Sequence, residues 1–277
     1  MTPPNAPPTI GASRRALVLT RAGADDGAFD ARERALRAAG VELHRFALIH
    51  IAAPDDAQPA QRCLRRLRDY VLALPVSPNA VRGAFALLDA PWPASCAIGV
   101  VGPGSAAAVR AALAAQGLAG AAVPPLLQAP AGQAESEGLW PLLQAWRPQG
   151  WRGTRVLLLR GGAGHEWLSE RLREAGAEVD PVDVYRRTAP PADAATLQRL
   201  RSLLAGDAAW LFGAAEAVRH LLELLHAAGL EPAAALHAHV ALATHARIAD
   251  AARAAGFGRV ALCSADPADI EAALRRL

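Results

Sequence analysis

G-A-E-V-D-P-V-D-V-Y-R-R-T-A-P, residues Gly176 to Pro190, follows an amphipathic helical pattern and then alternates apolar with polar side chains, as an extended segment does. It carries Tyr185, one of only two tyrosines in the chain. An earlier stretch, G-V-E-L-H-R-F-A-L-I-H-I-A from Gly40 to Ala52, has the same build: a helix ending at a glycine, then alternation. Further landmarks repeat at nearly the same separation. Gly40 pairs with Gly176, Ala80-Val81-Arg82 with Ala217-Val218-Arg219 and Gly117 with Gly256, giving offsets of 136, 137 and 139. Three independent landmarks at almost one offset indicate an internal repeat, and the tyrosine occurs in only one copy.

Outward from these stretches, short apolar runs alternate with helical patterns. Ala16–Thr20, the run after Tyr70, Ala97–Val101, Val156–Leu159, Ala208–Phe212, His239–Ala243 and Val260–Cys263 read as buried parallel strands. Helices are expected over Ala28–Ala39 (with Phe29 and Leu36 inward), Asp55–Tyr70, from near Ala80, and over Ala106–Gln116, Leu139–Trp146 and Glu166–Ala175. Four more are expected over Asp193–Ala205, Ala215–Ala228, Ala246–Ala255 and Pro267–Leu277, while Val123-Pro124-Pro125 reads as a link. Each half is therefore α/β with a parallel sheet. Two such domains would leave a cleft, and open α/β sheets take ligands at the carboxyl ends of their strands.

A chain of 277 residues with 52% hydrophobic and 20% charged residues fills one large domain or two ordinary ones. The net charge of +3 and pI near 9.1 do not call for nucleic acid and suit a small anionic ligand. Every basic residue is arginine, which removes Schiff-base lysine chemistry and a P-loop lysine. The same usage is also what a compositional bias of the genome produces. Cys63, Cys96 and Cys263 are odd in number and far apart, the pattern of reduced thiols rather than of disulfides or a zinc site. The proline-rich opening has no apolar core of a secretory signal and is expected to be disordered. No uncharged apolar run reaches the ~20 residues of a spanning helix, so a cytoplasmic protein without a membrane partner is expected.

Few motifs carry chemistry. Arg160-Gly161-Gly162-Ala163-Gly164-His165 lies between strand and helix but lacks the third glycine and the downstream acidic residue of a dinucleotide site. His237-Ala238-His239 alone is a poor metal site, and no metal is expected. Ser77 precedes Pro78-Asn79 and a helix, so its hydroxyl is either a helix cap or a ligand group. Gly102-Pro103-Gly104-Ser105 turns a strand into a helix, where backbone amides suit an anion. Ser136 is placed to cap the helix that follows it. Hydroxyls, glycine amides, arginines and one tyrosine can hold a polyanion and guide an easy reaction, but not hard redox chemistry.

Taken in order, these pieces resemble uroporphyrinogen-III synthase from about residue 16 to 277. The matching segments are Leu19-Thr20-Arg21, Val76-Ser77-Pro78-Asn79-Ala80-Val81, Val101–Ala106, Ser136–Leu139, Arg160–Leu168, Val184–Arg187, Ala217–Arg219 and Ala252–Phe257. No single motif is diagnostic; their order is. The chain departs from the family pattern at Phe212–Val218, where hydroxyls are missing, at Ala243-Thr244-His245-Ala246, which has no glycine, and at His165, where many relatives have arginine.

The resemblance implies two similar flavodoxin-like parallel-sheet domains joined by a two-stranded antiparallel linker. One domain would be discontinuous, 1–40 with 189–277; the other would be 55–178; the linker would be 41–54 with 179–188, hinging between them. It implies a lyase without cofactor that closes linear hydroxymethylbilane to uroporphyrinogen III, with loss of the terminal hydroxyl and inversion of the last ring, acting as a monomer. The octacarboxylate substrate suits arginines and amides, and positioning the last ring is the catalytic task. Tyr185 is the implied proton donor to the departing hydroxyl, since phenols ionise near pH ~10 and hold their proton at neutrality; a tyrosine merely packed into the linker is the other reading. Ser77, Ser105 and Thr244 would bind or steer substrate, with Arg21 and Arg160 as charge partners. A non-catalytic two-domain module for an anionic ligand and a nucleotide-sugar transferase are the alternatives.

Overall fold

The structure, a computed structural model, describes residues 16–21, 31–130, 136–162 and 166–276. The expected leader, Phe29 and His165 lie outside the described residues, as does Leu277 of the last expected helix. The chain forms two compact units, Met1–His50 with Thr188–Leu277, and Ile51–Arg187.

The first unit is built on strands β1 (Ala16–Leu19), β2 (Leu43–Arg45), β10 (Ala208–Phe212), β11 (Val240–Ala243) and β12 (Arg259–Leu262), ordered β2-β1-β10-β11-β12, all parallel. Helices α1 (Ala31–Ala38) and α11 (Pro267–Arg275) serve one face; α7 (Ala194–Leu204), α8 (Ala215–Ala227), the short α9 (Pro232–Leu236) and α10 (Ala246–Ala254) serve the other. Side chains alternate between the two: Leu17 and Leu19 pack with Leu36 and Ile270, while Val18 packs with Trp210, Phe212 and Leu221. Both faces are covered at the inner strands β1, β10 and β11, which are apolar throughout. Each fully buried leucine or valine contributes about 1.5–3 kcal/mol of transfer free energy.

The second unit repeats the plan with strands β4 (Leu72–Pro75), β5 (Ala97–Val100), β6 (Leu126–Gln128), β7 (Arg155–Arg160) and β8 (Glu178–Asp183), ordered β8-β7-β4-β5-β6, again all parallel. Helices α2 (Gln58–Arg65), α3 (Pro78–Ala86) and α4 (Pro103–Ala115) cover one face; α5 (Ser136–Trp146) and α6 (Glu166–Glu174) cover the other. Written this way, β7-α6-β8 takes the place that β1-α1-β2 holds in the first unit. The repeat landmarks occupy matching posts. Gly40 and Gly176 both have positive φ, 79° and 97°, as do Gly117 and Gly256. Ala80 and Ala217, Val81 and Val218 are all buried.

The two flavodoxin-like parallel sheets joined by a small antiparallel ribbon are as expected from the resemblance. The ribbon itself is narrower than 41–54 with 179–188: it comprises only β3 (His50–Ala52) and β9 (Arg186–Thr188). Within the alternating stretches, β2 and β8 are edge strands of the parallel sheets. An edge strand is covered incompletely, which accounts for the exposed-buried alternation along β8. Strand β6 arises where only a proline-rich link is expected, and three residues are too few to show a period. Pro125 has no N–H, yet its carbonyl accepts from the Ile98 N–H at 2.8 Å and seats the strand. Ser136 is the first residue of α5 rather than the residue before it.

Candidate active site

In a doubly wound sheet, the crevice forms at the carboxyl ends of two neighbouring strands whose connections leave in opposite directions. In the second unit these strands are β4 and β7. Strand β4 ends at Pro75, and Ser77 caps α3: its backbone is extended (φ −160°) and its Oγ accepts from the Ala80 N–H at 3.1 Å. Pro78 follows at the first helical position, where a missing N–H costs nothing. Strand β7 ends at Arg160 and passes into Gly161-Gly162.

Tyr185 joins these two ends. Its phenol oxygen lies 3.3 Å from Ser77 Oγ, and only 6% of the residue is exposed. The ring lies against Gly161 so closely that a Cβ there would overlap it. A Cβ on Gly83 of α3 would likewise run into the Val184 carbonyl, so the helix and the tyrosine segment meet backbone to backbone. The side chain is packed in the core cluster of α3 and β7 with its polar tip at the strand ends, so the packed and the functional readings both describe part of it.

Arg160 points its Nε toward Asp183 Oδ1 at 3.3 Å, and the same oxygen accepts the Gly162 N–H at 3.1 Å. Asp183 thus orders the glycine turn beneath the Tyr185 ring. The acidic residue sits two positions before the tyrosine in the alternating stretch, and that spacing is the signal that could have singled it out. Gly161 stands in the stretch weighed for dinucleotide binding; its observed use is to leave room for the ring. Ser105 is buried in the first turn of α4, at the carboxyl end of β5. Gly104 beside it approaches Pro78, which places the amino ends of α3 and α4 next to each other. Two adjoining helix starts present the positive ends of their dipoles and favour negative charge.

The structure therefore brings Tyr185, Ser77, Ser105 and Arg160 to one edge of the second unit. Arg21 and Thr244 belong to the first unit, also at carboxyl ends, after β1 and β11 respectively. Thr244 Oγ1 donates a long hydrogen bond, 3.5 Å, to the Phe212 carbonyl, and the cap of α10 is His245, not Thr244. Arg21 Nη2 lies 3.3 Å from Glu33 Oε1. Among the described residues no three His, Cys, Asp or Glu side chains converge as metal ligands would, and no helix is long and apolar enough to cross a membrane.

At the opposite, amino end of the second sheet a cavity of about 540 Å³ is lined by Arg65, Arg68, Asp89, Trp92 and Ser95 among others. Nearby, Tyr70 donates to Asp180 Oδ2 at 2.8 Å while Arg155 holds the same oxygen at 2.5 Å and lies over the Tyr70 ring. Burial, then the neighbouring Cys63 and Asp180, push the Tyr70 phenol far above its ordinary range, so it remains a neutral donor. This network ties the turn before β4 to β7 and β8 and is separate from Tyr185.

A family model described as uroporphyrinogen-III synthase HemD matches residues 30–273. Among solved structures, the chain is similar to a mutant uroporphyrinogen III synthase from the extremely thermophilic bacterium Thermus thermophilus, at 22% identity and TM-score 0.46, with 94% of this chain and 96% of that chain covered. It is also similar to uroporphyrinogen-III synthetase from Helicobacter pylori 26695, at 14% identity and TM-score 0.49, with 95% and 100% covered.

Proposed function

The chain belongs to the uroporphyrinogen-III synthase family, whose model spans residues 30–273, and on that premise we propose that the edge of the second unit around Tyr185 is where its reaction is promoted. The protein converts hydroxymethylbilane to uroporphyrinogen III in tetrapyrrole biosynthesis. The single observation that supports the placement is the 3.3 Å contact between the Tyr185 phenol and Ser77 at the switch between β4 and β7.

The hydroxymethyl carbon of the terminal pyrrole cannot expel hydroxide readily at neutral pH. Protonation turns the leaving group into water, while the pyrrole nitrogen lone pair stabilises the carbon left behind. Tyr185 supplies that proton. Ser77 Oγ accepts from the Ala80 N–H and lies 3.3 Å from the Tyr185 oxygen; in the proposed reaction its hydroxyl hydrogen turns to the Tyr185 oxygen. That arrangement aims the phenol proton at substrate and stabilises the phenolate once the proton has gone. Closure with inversion joins that carbon to the last ring at the position bearing its methylene bridge; the bridge bond then breaks and re-forms at the ring's free α-carbon, and the proton lost there restores the phenol. Water is the only by-product, so atoms and charge balance and the reaction class is that of a lyase.

In the second unit, carboxylate binding falls to the helix starts of α3 and α4 with Ser105 and to Arg160; in the first unit, Arg21 and Thr244 are the carboxylate-binding candidates. We further infer a monomer acting in the cytoplasm, a reading that the three unpaired cysteines support. The test is direct: purified protein is given freshly prepared hydroxymethylbilane, and isomers I and III are resolved. Isomer III in excess of the spontaneous product is expected; isomer I alone would overturn the reading.

A further inference from the structure

Tyr185 stands at a joint in the chain. Strand β8 ends at Asp183 and β9 begins at Arg186, so Val184 and Tyr185 belong to neither strand. The Val184 N–H still donates to the Arg160 carbonyl at 2.8 Å; one residue later the chain has left the parallel sheet. Strand β7 ends at the same level. Arg160, in register with Asp183, is its last residue, and Gly161-Gly162 turns away from it with Gly162 at φ 89°.

The Asp183 side chain spans the gap between these two departing segments. Its Oδ1 accepts the Gly162 N–H at 3.1 Å and Arg160 Nε at 3.3 Å, so one oxygen holds two donors of the turn. The Tyr185 ring rests on Gly161 with no room for a side chain between them. The floor beneath the ring is thus fastened by the residue two positions before it. Two successive glycines give a turn little stiffness of its own, which makes the fastening matter. Resting on the reaction assigned above, we propose that Asp183 is a positioning residue for Tyr185: by tying the glycine turn to the end of β8, it fixes the seat of the ring and the point from which the phenol proton is delivered. Both bonds end on one oxygen, so the role belongs to an acceptor rather than to a charge. An asparagine carbonyl can fill it, and a side chain without oxygen cannot.

The test compares Asp183→Ala and Asp183→Asn, each in the wild-type and Tyr185→Phe backgrounds, by the kinetics of isomer III formation and by NMR of protein carrying ring-13C tyrosine. The chain has only two tyrosines, Tyr70 and Tyr185, so Tyr185→Phe assigns both sets of ring signals. A misplacement of about 1 Å costs up to about 10²-fold in rate. Asp183→Ala is therefore expected to lower kcat about 10–100-fold with KM within about threefold, to shift or broaden the Tyr185 signals, and to leave those of Tyr70 near their wild-type positions. In the Tyr185→Phe background the same substitution should cost less than about twofold. Asp183→Asn should keep kcat within about threefold of wild type and the Tyr185 signals near their places. Asp183→Val, better suited to a strand end, gives the same reading where the alanine variant does not fold. A merely structural aspartate would cost the same factor in both backgrounds. That result, wild-type kcat in Asp183→Ala, unmoved Tyr185 signals, or an asparagine variant as slow as the alanine one would each overturn the inference. Absence of isomer III from the wild type would instead overturn the assigned reaction, while the Tyr185 signals still decide whether Asp183 holds the ring.

Discussion

Replacing Tyr185 by phenylalanine removes one oxygen and leaves the ring packed on Gly161. The lost contact is 3.3 Å long, beyond the usual 2.7–2.8 Å of a hydroxyl pair, so its net worth is at the low end of the range, about 0.5 kcal/mol. In a chain of this size that lowers the melting temperature by only about 1–2 °C. If the phenol protonates the leaving hydroxyl, kcat falls by about 10²–10⁴, which is about 3–5 kcal/mol of barrier. Rate and stability thus respond on different scales to one atom. Ser77→Ala brings the two effects close together: losing the cap of α3 costs about 1 kcal/mol, a few degrees, while turnover falls by only about 10-fold, the weight of one hydrogen bond to a developing phenolate. Since Ser77 acts on rate through Tyr185, the double variant should turn over no more slowly than Tyr185→Phe alone. Initial rates of isomer III formation with parallel thermal melts decide the matter. A Tyr185→Phe protein within about threefold of wild-type kcat removes the proton-donor assignment, and additive rate losses in the double variant remove the role given to Ser77.

Gly161→Ala places a methyl group where the Tyr185 ring lies, and is expected to lower activity at least as far as Tyr185→Phe with a stability loss of about 1–3 kcal/mol, read from kinetics and denaturant midpoints. Gly117→Ala and Gly256→Ala both force alanine into positive φ, about 1–2 kcal/mol; only at Gly256 would the new carbon also strike Ala233, so chemical denaturation should show the larger loss there. Burial pushes the Cys96 thiol up to about 12 and the Cys263 thiol up to about 11, so a disulfide reagent at pH 8 should label half-buried Cys63 first and all three only after unfolding. Asp193 caps α7, and the Thr196 N–H holds its carboxyl below the usual range. Its stabilisation is therefore present above the unfolded carboxylate pKa and lost as pH falls through the lower folded value, so melts of Asp193→Ala and wild type should differ at pH 7 and converge in acid.

The parallel strands were readable because burial on both faces writes Leu17-Val18-Leu19 or Leu157-Leu158-Leu159 as unbroken apolar runs. Helix stops at Gly40 and Gly176 were readable because positive φ favours glycine. The family resemblance anticipated the nested connectivity, but the alternation in Val41–Ala52 and Val179–Thr188 has two sources that a sequence does not separate: edge strands of a parallel sheet and a free ribbon look alike. At the site, Tyr185 and Ser77 stood out as a scarce residue and a cap. Gly161 and Gly83 did not, because what they provide is room for another segment, and room leaves no mark on composition. Asp183 did not for a related reason: its charge suggests solvent, and the fold is what sets it against the glycine turn.

The second unit occupies one unbroken length of chain, Ile51–Arg187, whereas strand β1 of the first unit has as one neighbour the distant β10, in a register that starts with Ala16 against Ala208. On the ribosome, at about 5–20 residues per second, Leu17, Val18 and Leu19 would wait roughly 10–40 s for that partner to emerge. The inserted unit can mature during this interval, while the early strands remain sticky and unsheltered. Nascent chains arrested before residue 208 should accordingly bind a holdase chaperone through their first fifty residues and release it once β10 has cleared the exit tunnel.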